Sequence, residues 1–352
     1  MELSRTINSD KRYYLDENTI ENTASFLQTM RVFNDAKIDL YNALYDQKYL
    51  ASGPLIDHAY PVFLKEKYKT NDYYNAAVYS ATSGSISSQK ELKKYYSTTI
   101  TADLKTRDEK IQTIQEALYK KKAVKNSIRI YRKDGRWITP YPRCQLKVKG
   151  LMIVLFNKTV VKLDEYERSV EADIRKLKTR LALVTEARKR KEKKLENIKN
   201  LPPERIVFGG KKLYSEKDTV GITKSAEDNK TSQKALKEWK QEFFEKRHQS
   251  MALPGRHTSK YGNFLCKYDG KDLSVTCIDG TTTVFHDFKL PRYNEAFQNN
   301  FTCKPEDRQS ICYNFTVKRD RKNRQYIIVS VTMKLQAYEN SYYGNGAISM
   351  DI

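Results

Sequence analysis

Two alternating runs of apolar residues near the C-terminal end constrain the fold more than any other feature of this sequence. The runs consist of Ile311, Tyr313, Phe315 and Val317, and of Ile327, Val329, Val331, Met333 and Leu335. Successive side chains of a strand point to opposite faces, so each run predicts a strand with one buried face. The polar segment between them, residues 318–325, predicts that they form an antiparallel hairpin.

A third alternating run, Leu273, Val275 and Cys277, follows the turn at Asp269-Gly270. Together with the hairpin it predicts a small antiparallel β-barrel or curled sheet. Elsewhere the apolar residues recur every three or four positions, which indicates amphipathic helices over about 19–44, 101–122, 170–198 and 232–247. The expected fold class is therefore α+β, with a basic helical lobe beside the barrel.

Changes in the spacing of the apolar residues also predict the boundaries between regions of the chain. The segments IRIYR, QLKVK and LMIVLF, separated by Asp134-Gly135 and Pro140-Tyr141-Pro142, favour short strands within residues 128–164. We therefore expect a helical region over 1–127, a β element over 128–164 and a long basic helix or helical hairpin over 165–202. The barrel region would occupy 203–343 with helix 232–247 inserted, and residues 344–352 would begin a further domain.

The charge of the chain predicts the chemistry of its partner. Its 352 residues contain 65 Lys and Arg against 43 Asp and Glu, a formal net charge of +22. Such an excess favours a polyanion, either nucleic acid or an acidic membrane surface. The longest apolar run, residues 151–156, is far shorter than the ~20 residues that span a bilayer. Because the N-terminal segment is polar, without the apolar core of a signal peptide, we expect a cytoplasmic protein that is not inserted in a membrane.

Common catalytic signatures are missing from the sequence. It contains no Gly-rich phosphate loop, no GxSxG and no HExxH. The five cysteines include no CxxC pair, which argues against a zinc site. No complete active site is therefore expected within this chain.

Basic side chains interleaved with aromatic ones recur in three segments. Cations contact phosphates while aromatic rings stack on unpaired bases, so this mixture is typical of proteins that bind RNA or single strands. The candidate contacts are Arg129, Arg132, Arg136, Trp137, Lys211, Lys212, Tyr214, Arg247, Arg256, Lys260, Tyr261 and Asn263. Each of them taken alone fits a solvated basic face equally well.

Two of these segments carry a resemblance to a known family. The stretch FGGKKLY at 208–214, a helix with Trp239, and then Arg247, Gly255 and Gly262-Asn263 resemble the pattern of TnpB proteins. These are transposon-encoded RNA-guided endonucleases related to type V CRISPR effectors. The resemblance covers 206–352, and residues 1–200 resemble the family only as a basic helical recognition lobe. The residues at 251–254, MALP, depart from the aromatic and aliphatic residues that the family more often has there.

The resemblance implies a function and partners. The barrel would be the wedge region, which holds a guide RNA, and the basic lobe would hold the guide paired with double-stranded target DNA. The run Ala347-Ile348-Ser349-Met350-Asp351 stands where the family begins its RuvC-like nuclease, so Asp351 would be the first carboxylate of a site that binds Mg²⁺. A two-metal site needs several carboxylates. We therefore expect this chain, in a prokaryotic cytoplasm and on the nucleoid, to be inactive without a separate RuvC-containing fragment.

Two other hypotheses fit the same sequence. The chain would be a standalone RNA- or DNA-binding regulator derived from TnpB if no nuclease fragment accompanies it. A basic structural or membrane-surface protein that uses the 165–200 helix is the weaker alternative. That helix has few large aromatic residues to insert into lipid, and its apolar stripe suits a coiled-coil seam.

Overall fold

The structure, a computed structural model, describes residues 2–50, 59–155, 157–218 and 228–336. The chain divides into two compact units. We call Met1–Ser88 together with Glu204–Ile352 the sheet unit, and Gln89–Pro203 the arm. Asp351 and the predicted start of a RuvC-like domain at 344–352 lie outside the described residues.

The protein has a mixed α+β fold. The helices are α1 (Thr23–Leu50), α2 (Tyr60–Tyr68), α3 (Asp72–Asp134), α4 (Leu163–Asn200), α5 (Lys211–Ser215), α6 (Asp228–Arg247) and α7 (Asn294–Thr302). The strands are β1 (Glu2–Asn8), β2 (Tyr13–Tyr14), β3 (Lys147–Lys149), β4 (Met152–Val154), β5 (Val160–Lys162), β6 (Ser250–Leu253), β7 (Cys266–Tyr268), β8 (Leu273–Thr276), β9 (Thr282–Phe285), β10 (Cys312–Arg319) and β11 (Gln325–Gln336).

The predicted hairpin is confirmed and forms the centre of the largest sheet. Strands β10 and β11 pair antiparallel, with Phe315 opposite Val329. Strand β11 also pairs with β1 and β2, and β10 pairs with β6, which gives the order β1-β11-β10-β6. A second sheet contains β7, β8 and β9, and a third contains β3, β4 and β5.

The core of the sheet unit is aromatic and joins three elements. Phe26 of α1 lies 5.2 Å from Phe285 of β9 and 5.1 Å from Phe315 of β10, measured between ring centroids. Phe285 and Phe315 lie 5.5 Å apart, and all three side chains are fully buried. Aromatic rings bury large apolar areas, so this cluster fixes helix α1 across both sheets of the unit.

The two long helices of the arm run antiparallel. Their residues pair in reversed order, Arg132 with Glu167, Lys121 with Asp173 and Arg188 with Asp108. A separate core at one end of the arm holds α3, α4 and strands β3 to β5 together. Its buried members are Leu118, Val124, Ile128, Ile153, Leu163, Val170 and Ile174. The helical hairpin predicted for 165–202 therefore has α3 as its other half.

The structure corrects three expectations. None of the sheets within the described residues closes into a barrel, because β6 and β1 end the largest sheet as open edges. Residues 128–134, predicted to start a β element, continue helix α3. The N-terminal region begins with a strand, since Ile7 of β1 pairs with Val331 of β11. Among the described residues no helix is both long and apolar enough to cross a bilayer.

One buried amide joins the ends of three strands in the sheet unit. Asn263 is 2% exposed, and its Nδ2 donates to the carbonyl oxygens of Leu253, Pro254 and Ile311 at 3.0–3.2 Å. Its Oδ1 accepts from the backbone N–H groups of residues 265 and 266. The side chain therefore satisfies backbone groups at the end of β6 and at the starts of β7 and β10.

Two glycines let the chain approach Asn263 closely. A Cβ atom at Gly255 would lie 2.2 Å from the backbone nitrogen of Ile311. At Gly262, where φ is +66°, it would lie 2.6 Å from the carbonyl oxygen of Gln309. Both distances are far inside van der Waals contact, so these positions require glycine. The Gly255 and Gly262-Asn263 pattern therefore has a folding role.

We expect Asn263→Ala to destabilise the sheet unit by about 2–4 kcal/mol, because several buried backbone groups lose their partner at once. Urea unfolding can be followed by Trp239 fluorescence in a Trp137→Phe background, since the chain has only two tryptophans. Asn299→Ala, at an exposed position of α7, is the matched control and should cost less than about 0.5 kcal/mol. Equal midpoints for the two variants would contradict the folding role of Asn263.

A pH-dependent contact ties the N-terminal segment to the second sheet. His286 Nδ1 lies 2.9 Å from Asp272 Oδ2, and its Nε2 lies 3.1 Å from Glu21 Oε1. The hydrogen bond to Asp272 raises the pKa of His286, against the opposing effect of its partial burial. A group whose pKa is raised in the folded state stabilises the fold below its unfolded pKa, and this stabilisation is lost as the pH rises through the folded pKa.

For this reason the wild type should exceed His286→Gln in the free energy of unfolding by up to about 1 kcal/mol at pH ~5.5, and by less at pH ~8.5. The same Trp239 readout measures it. His257, which is exposed, provides the control, because His257→Gln should follow the wild-type pH profile. A constant difference between the wild type and His286→Gln at all pH values would exclude the titration of this contact.

Candidate nucleic-acid interface

Most of the excess charge of the protein lies in the arm. Residues 89–203 contain 31 Lys and Arg against 14 Asp and Glu, a net charge of +17. The sheet unit contains 34 and 29, a net charge of +5, although it is about twice as long. The polyanion partner predicted from the whole chain is therefore expected at the arm.

Most of the 14 acidic side chains of the arm take part in ion pairs, and six of them pair with the other long helix. Eight of them form ion pairs within the arm, whereas only seven of the 31 basic side chains do so among the described residues. Hydrogen bonds from Lys191 and Lys125 lower the pKa values of Asp103 and Glu171, so these carboxylates stay ionised. The remaining cations form no ion pair with a described residue, although Lys93 and Arg168 donate hydrogen bonds to backbone carbonyl oxygens.

The solvent-facing side of α4 carries seven of these cations. No ion pair joins them to another described residue, and all are exposed. The set comprises Arg175, Lys176, Lys178, Arg180, Lys189, Lys193 and Lys194. Residues 132 and 93, which contact opposite ends of α4, are separated by 39 positions of α3, or about 60 Å at the helical rise. Within that length the seven cations span residues 175–194, about 30 Å at the helical rise, and we call this surface the basic ridge.

The predicted contacts at the end of the arm have different surroundings. Arg129 and Arg136 are exposed and have no ion pair among the described residues. Arg132 is already paired with Asp164 and with Glu167, the latter at 2.7 Å. Trp137 is half-buried against the core of the arm, with its ring edge-on to Tyr131. Arg129 and Arg136 are therefore available to contact a ligand, whereas Arg132 and Trp137 are used in contacts within the arm.

The FGGKKLY stretch forms a short structural clamp. Phe208 packs edge-on against Tyr41, and the indole Nε1 of Trp239 donates to the carbonyl oxygen of Leu213 at 2.7 Å. Lys211 is paired with Glu204 at 2.5 Å, while Lys212 is exposed. Tyr214 is 48% exposed and lies beside Phe243. Of this group, Lys212 and Tyr214 stay open to a ligand.

In the third predicted segment, residues 247–263, some of the predicted contacts are exposed and others are buried. Arg256 and Lys260 are exposed, and the Lys260 amine lies 5.6 Å from the centre of the half-buried Tyr261 ring. Arg247 is half-buried. Asn263 was predicted to contact nucleic acid, and its burial and its internal hydrogen bonds correct that expectation, since its amide cannot reach a ligand.

Sequence reasoning missed two groups of residues. The sequence predicts a basic helix at α4 but not which of its cations are unpaired, because the ion pairs depend on how α3 and α4 pack. Tyr95, Tyr96 and Tyr119 of α3 are 52–67% exposed beside basic residues. Their exposed rings suit stacking on unpaired bases. Exposed tyrosines flanked by lysines are a signal that the sequence did contain.

The predicted Mg²⁺ site stays a prediction. Asp351 lies outside the described residues, and within them no group of three or more His, Cys, Asp or Glu side chains could hold a metal ion. Comparison with protein-family models, with curated proteins and with solved structures finds no match to the chain.

Proposed function

We propose that the protein binds nucleic acid, RNA or a single strand in particular, through the basic ridge of the arm. The observation that carries the proposal is the net charge of +17 on residues 89–203, where eight of the 14 acids form ion pairs within the arm. Binding would release counterions from about as many phosphates as the ridge neutralises. The affinity should therefore fall steeply with salt.

The arm favours nucleic acid over a membrane surface. A helix that lies in a lipid interface needs an apolar face of its own. In α4 the large apolar residues Val170, Ile174 and Leu177 are instead packed in the core of the arm. The exposed rings of the arm are tyrosines, which stack on bases.

A narrower proposal rests on the resemblance to TnpB. In it the chain is the part of an RNA-guided endonuclease that holds guide RNA and target DNA, without most of its RuvC nuclease. The clamp around Trp239 and the Asn263 site support only the idea that the resembling residues fold together. Asp351 would contribute one carboxylate to Mg²⁺, which activates water and stabilises the leaving oxygen in such nucleases. The standalone regulator differs from this proposal only in having no nuclease fragment to join.

We expect the variant with Lys176, Arg180, Lys189 and Lys193 all changed to Gln to bind single-stranded RNA at least about tenfold more weakly at moderate salt. The slope of log K against log salt should become shallower by up to about 3, or about 0.7 for each lost phosphate contact. Glutamine preserves the helix propensity, so α4 should stay folded. Fluorescence anisotropy across a salt series measures both quantities.

The matched control changes Lys267, Lys289, Lys304 and Lys322, exposed lysines of the sheet unit, to Gln. It removes the same charge from the other unit and should keep nearly wild-type affinity. Equal losses in both variants would mean that the whole protein attracts RNA without a specific surface. That result would overturn the assignment to the arm.

Copurification tests the narrower proposal. When the chain is expressed with its native flanking DNA and washed at moderate salt, we expect a discrete bound RNA that maps to the 3′ flank of its gene. Base pairing supplies sequence specificity in RNA-guided systems, so the protein needs a defined scaffold RNA. Sequencing of the bound RNA decides the matter. A random RNA population would leave general RNA binding in place and contradict the TnpB-like role.

A further inference from the structure

A small surface cavity lies in the sheet unit, between the first turns of α3 and the loop that contains Gly255 and Asn263. Its volume is about 200 Å³, and its lining includes Tyr73, Ala76 and Arg256. Drug-sized ligands occupy pockets of roughly 300–1,000 Å³, so this cavity suits a single small planar group.

Two aromatic rings form one wall of the cavity. The rings of Tyr73 and Phe264 are stacked, with centroids 4.6 Å apart and planes inclined by 22°. Tyr73 is 48% exposed and Phe264 is 36% exposed. Each ring covers one face of the other and leaves a second face, onto which a third planar ring can stack. The small side chains of Ala76 and Ser80 leave room beside them.

The cavity also has a cation and a fixed frame. Arg256 is exposed, and no described residue forms an ion pair with it. Its backbone is held by a 2.8 Å hydrogen bond from its N–H to the carbonyl oxygen of Gly262. Beside Tyr73 in the chain, the buried Tyr74 donates from its Oη to the carbonyl oxygen of Thr276 at 2.7 Å and anchors the start of α3. The site is therefore preorganised, which lowers the entropic cost of binding.

From this geometry we infer that the cavity binds one unpaired nucleotide of a nucleic acid strand, with the base stacked on the Tyr73–Phe264 pair and a phosphate on Arg256. The inference takes its partner class from the proposed function, but the site belongs to the sheet unit and is independent of the arm. Stacking recognises the π-face that every base has, so the site accepts any of the four bases. Tyr73 and Ser80 line the cavity and are exposed, so a bound strand can continue past them.

Fluorescence of 2-aminopurine, which stacking quenches, tests the inference on the full chain. The probes are 2-aminopurine riboside, its 5′-monophosphate, and a ten-nucleotide RNA with one 2-aminopurine. The wild type should quench the monophosphate with a Kd on the order of 1 mM. Tyr73→Ala should weaken that binding about tenfold or more. Arg256→Gln should weaken binding of the monophosphate and leave that of the riboside unchanged.

Two further variants separate folding from binding. Ala76→Leu fills the cavity with a good helix former, so it should abolish quenching while the melting temperature is retained. Tyr119→Ala removes a tyrosine that is 67% exposed on the same helix, in the arm, and should bind the monophosphate as the wild type does. Unchanged quenching by both Tyr73→Ala and Ala76→Leu would overturn the site, as would the absence of quenching by the wild type.

The four-glutamine variant of α4 distinguishes this inference from the proposed function. It should lose affinity for the ten-nucleotide RNA and keep wild-type quenching of the monophosphate. If the four-glutamine variant binds the ten-nucleotide RNA with wild-type affinity but Ala76→Leu abolishes quenching of the monophosphate, the arm proposal fails and the nucleotide site stands. If the four-glutamine variant loses affinity for the RNA and Ala76→Leu leaves the quenching unchanged, the nucleotide site fails and the arm proposal stands.

Discussion

The Asn263 amide is the interaction on which the architecture of the sheet unit most depends. Strands β6, β7 and β10 all start or end beside it, and a sheet end must satisfy backbone groups that have no ladder partner. One side chain with two N–H donors and one acceptor oxygen serves five such groups. Gly255 and Gly262 permit this convergence because neither position has room for a Cβ. Local backbone chemistry, rather than apolar area, thus specifies how the two sheets of the unit join.

The arm is stabilised by a different interaction and has a different consequence. Its long helices have a sizeable core only at one end, so much of their pairing depends on ion pairs along the seam. Exposed ion pairs contribute little each, typically below about 1 kcal/mol. They nevertheless decide which charges are free. Each acid that pairs with the partner helix is neutralised there, so the seam that holds the arm together also leaves cations in excess on the outer surface of α4.

The hairpin, helix α4, the 101–122 part of α3 and helix 232–247 could be predicted, because the apolar residues of each recur with the period of a single secondary structure. Residues 128–131 could not, since Ile128, Ile130 and their neighbours alternate like a strand. In the structure Val124, Ile128 and Tyr131 form a helical stripe instead, which the core of the arm selects. The barrel was wrong because closure depends on edge pairing, and an alternating pattern is the same in an open sheet. The role of Asn263 depends on partners ten and forty-eight residues away, which no local pattern reports.

The burial of Asn263 and the close contacts of Gly255 and Gly262 limit what the resemblance to TnpB says about function. A pattern of Gly255, Gly262 and Asn263 is required by the strand junction itself, whatever the protein binds. The clamp of Leu213 and Trp239 is likewise a folding contact. The residues of the pattern that make these contacts therefore serve folding, and within FGGKKLY the side chains of Lys212 and Tyr214 are exposed. The unpaired cations of the arm and its exposed tyrosine rings favour a nucleic-acid partner independently of the resemblance.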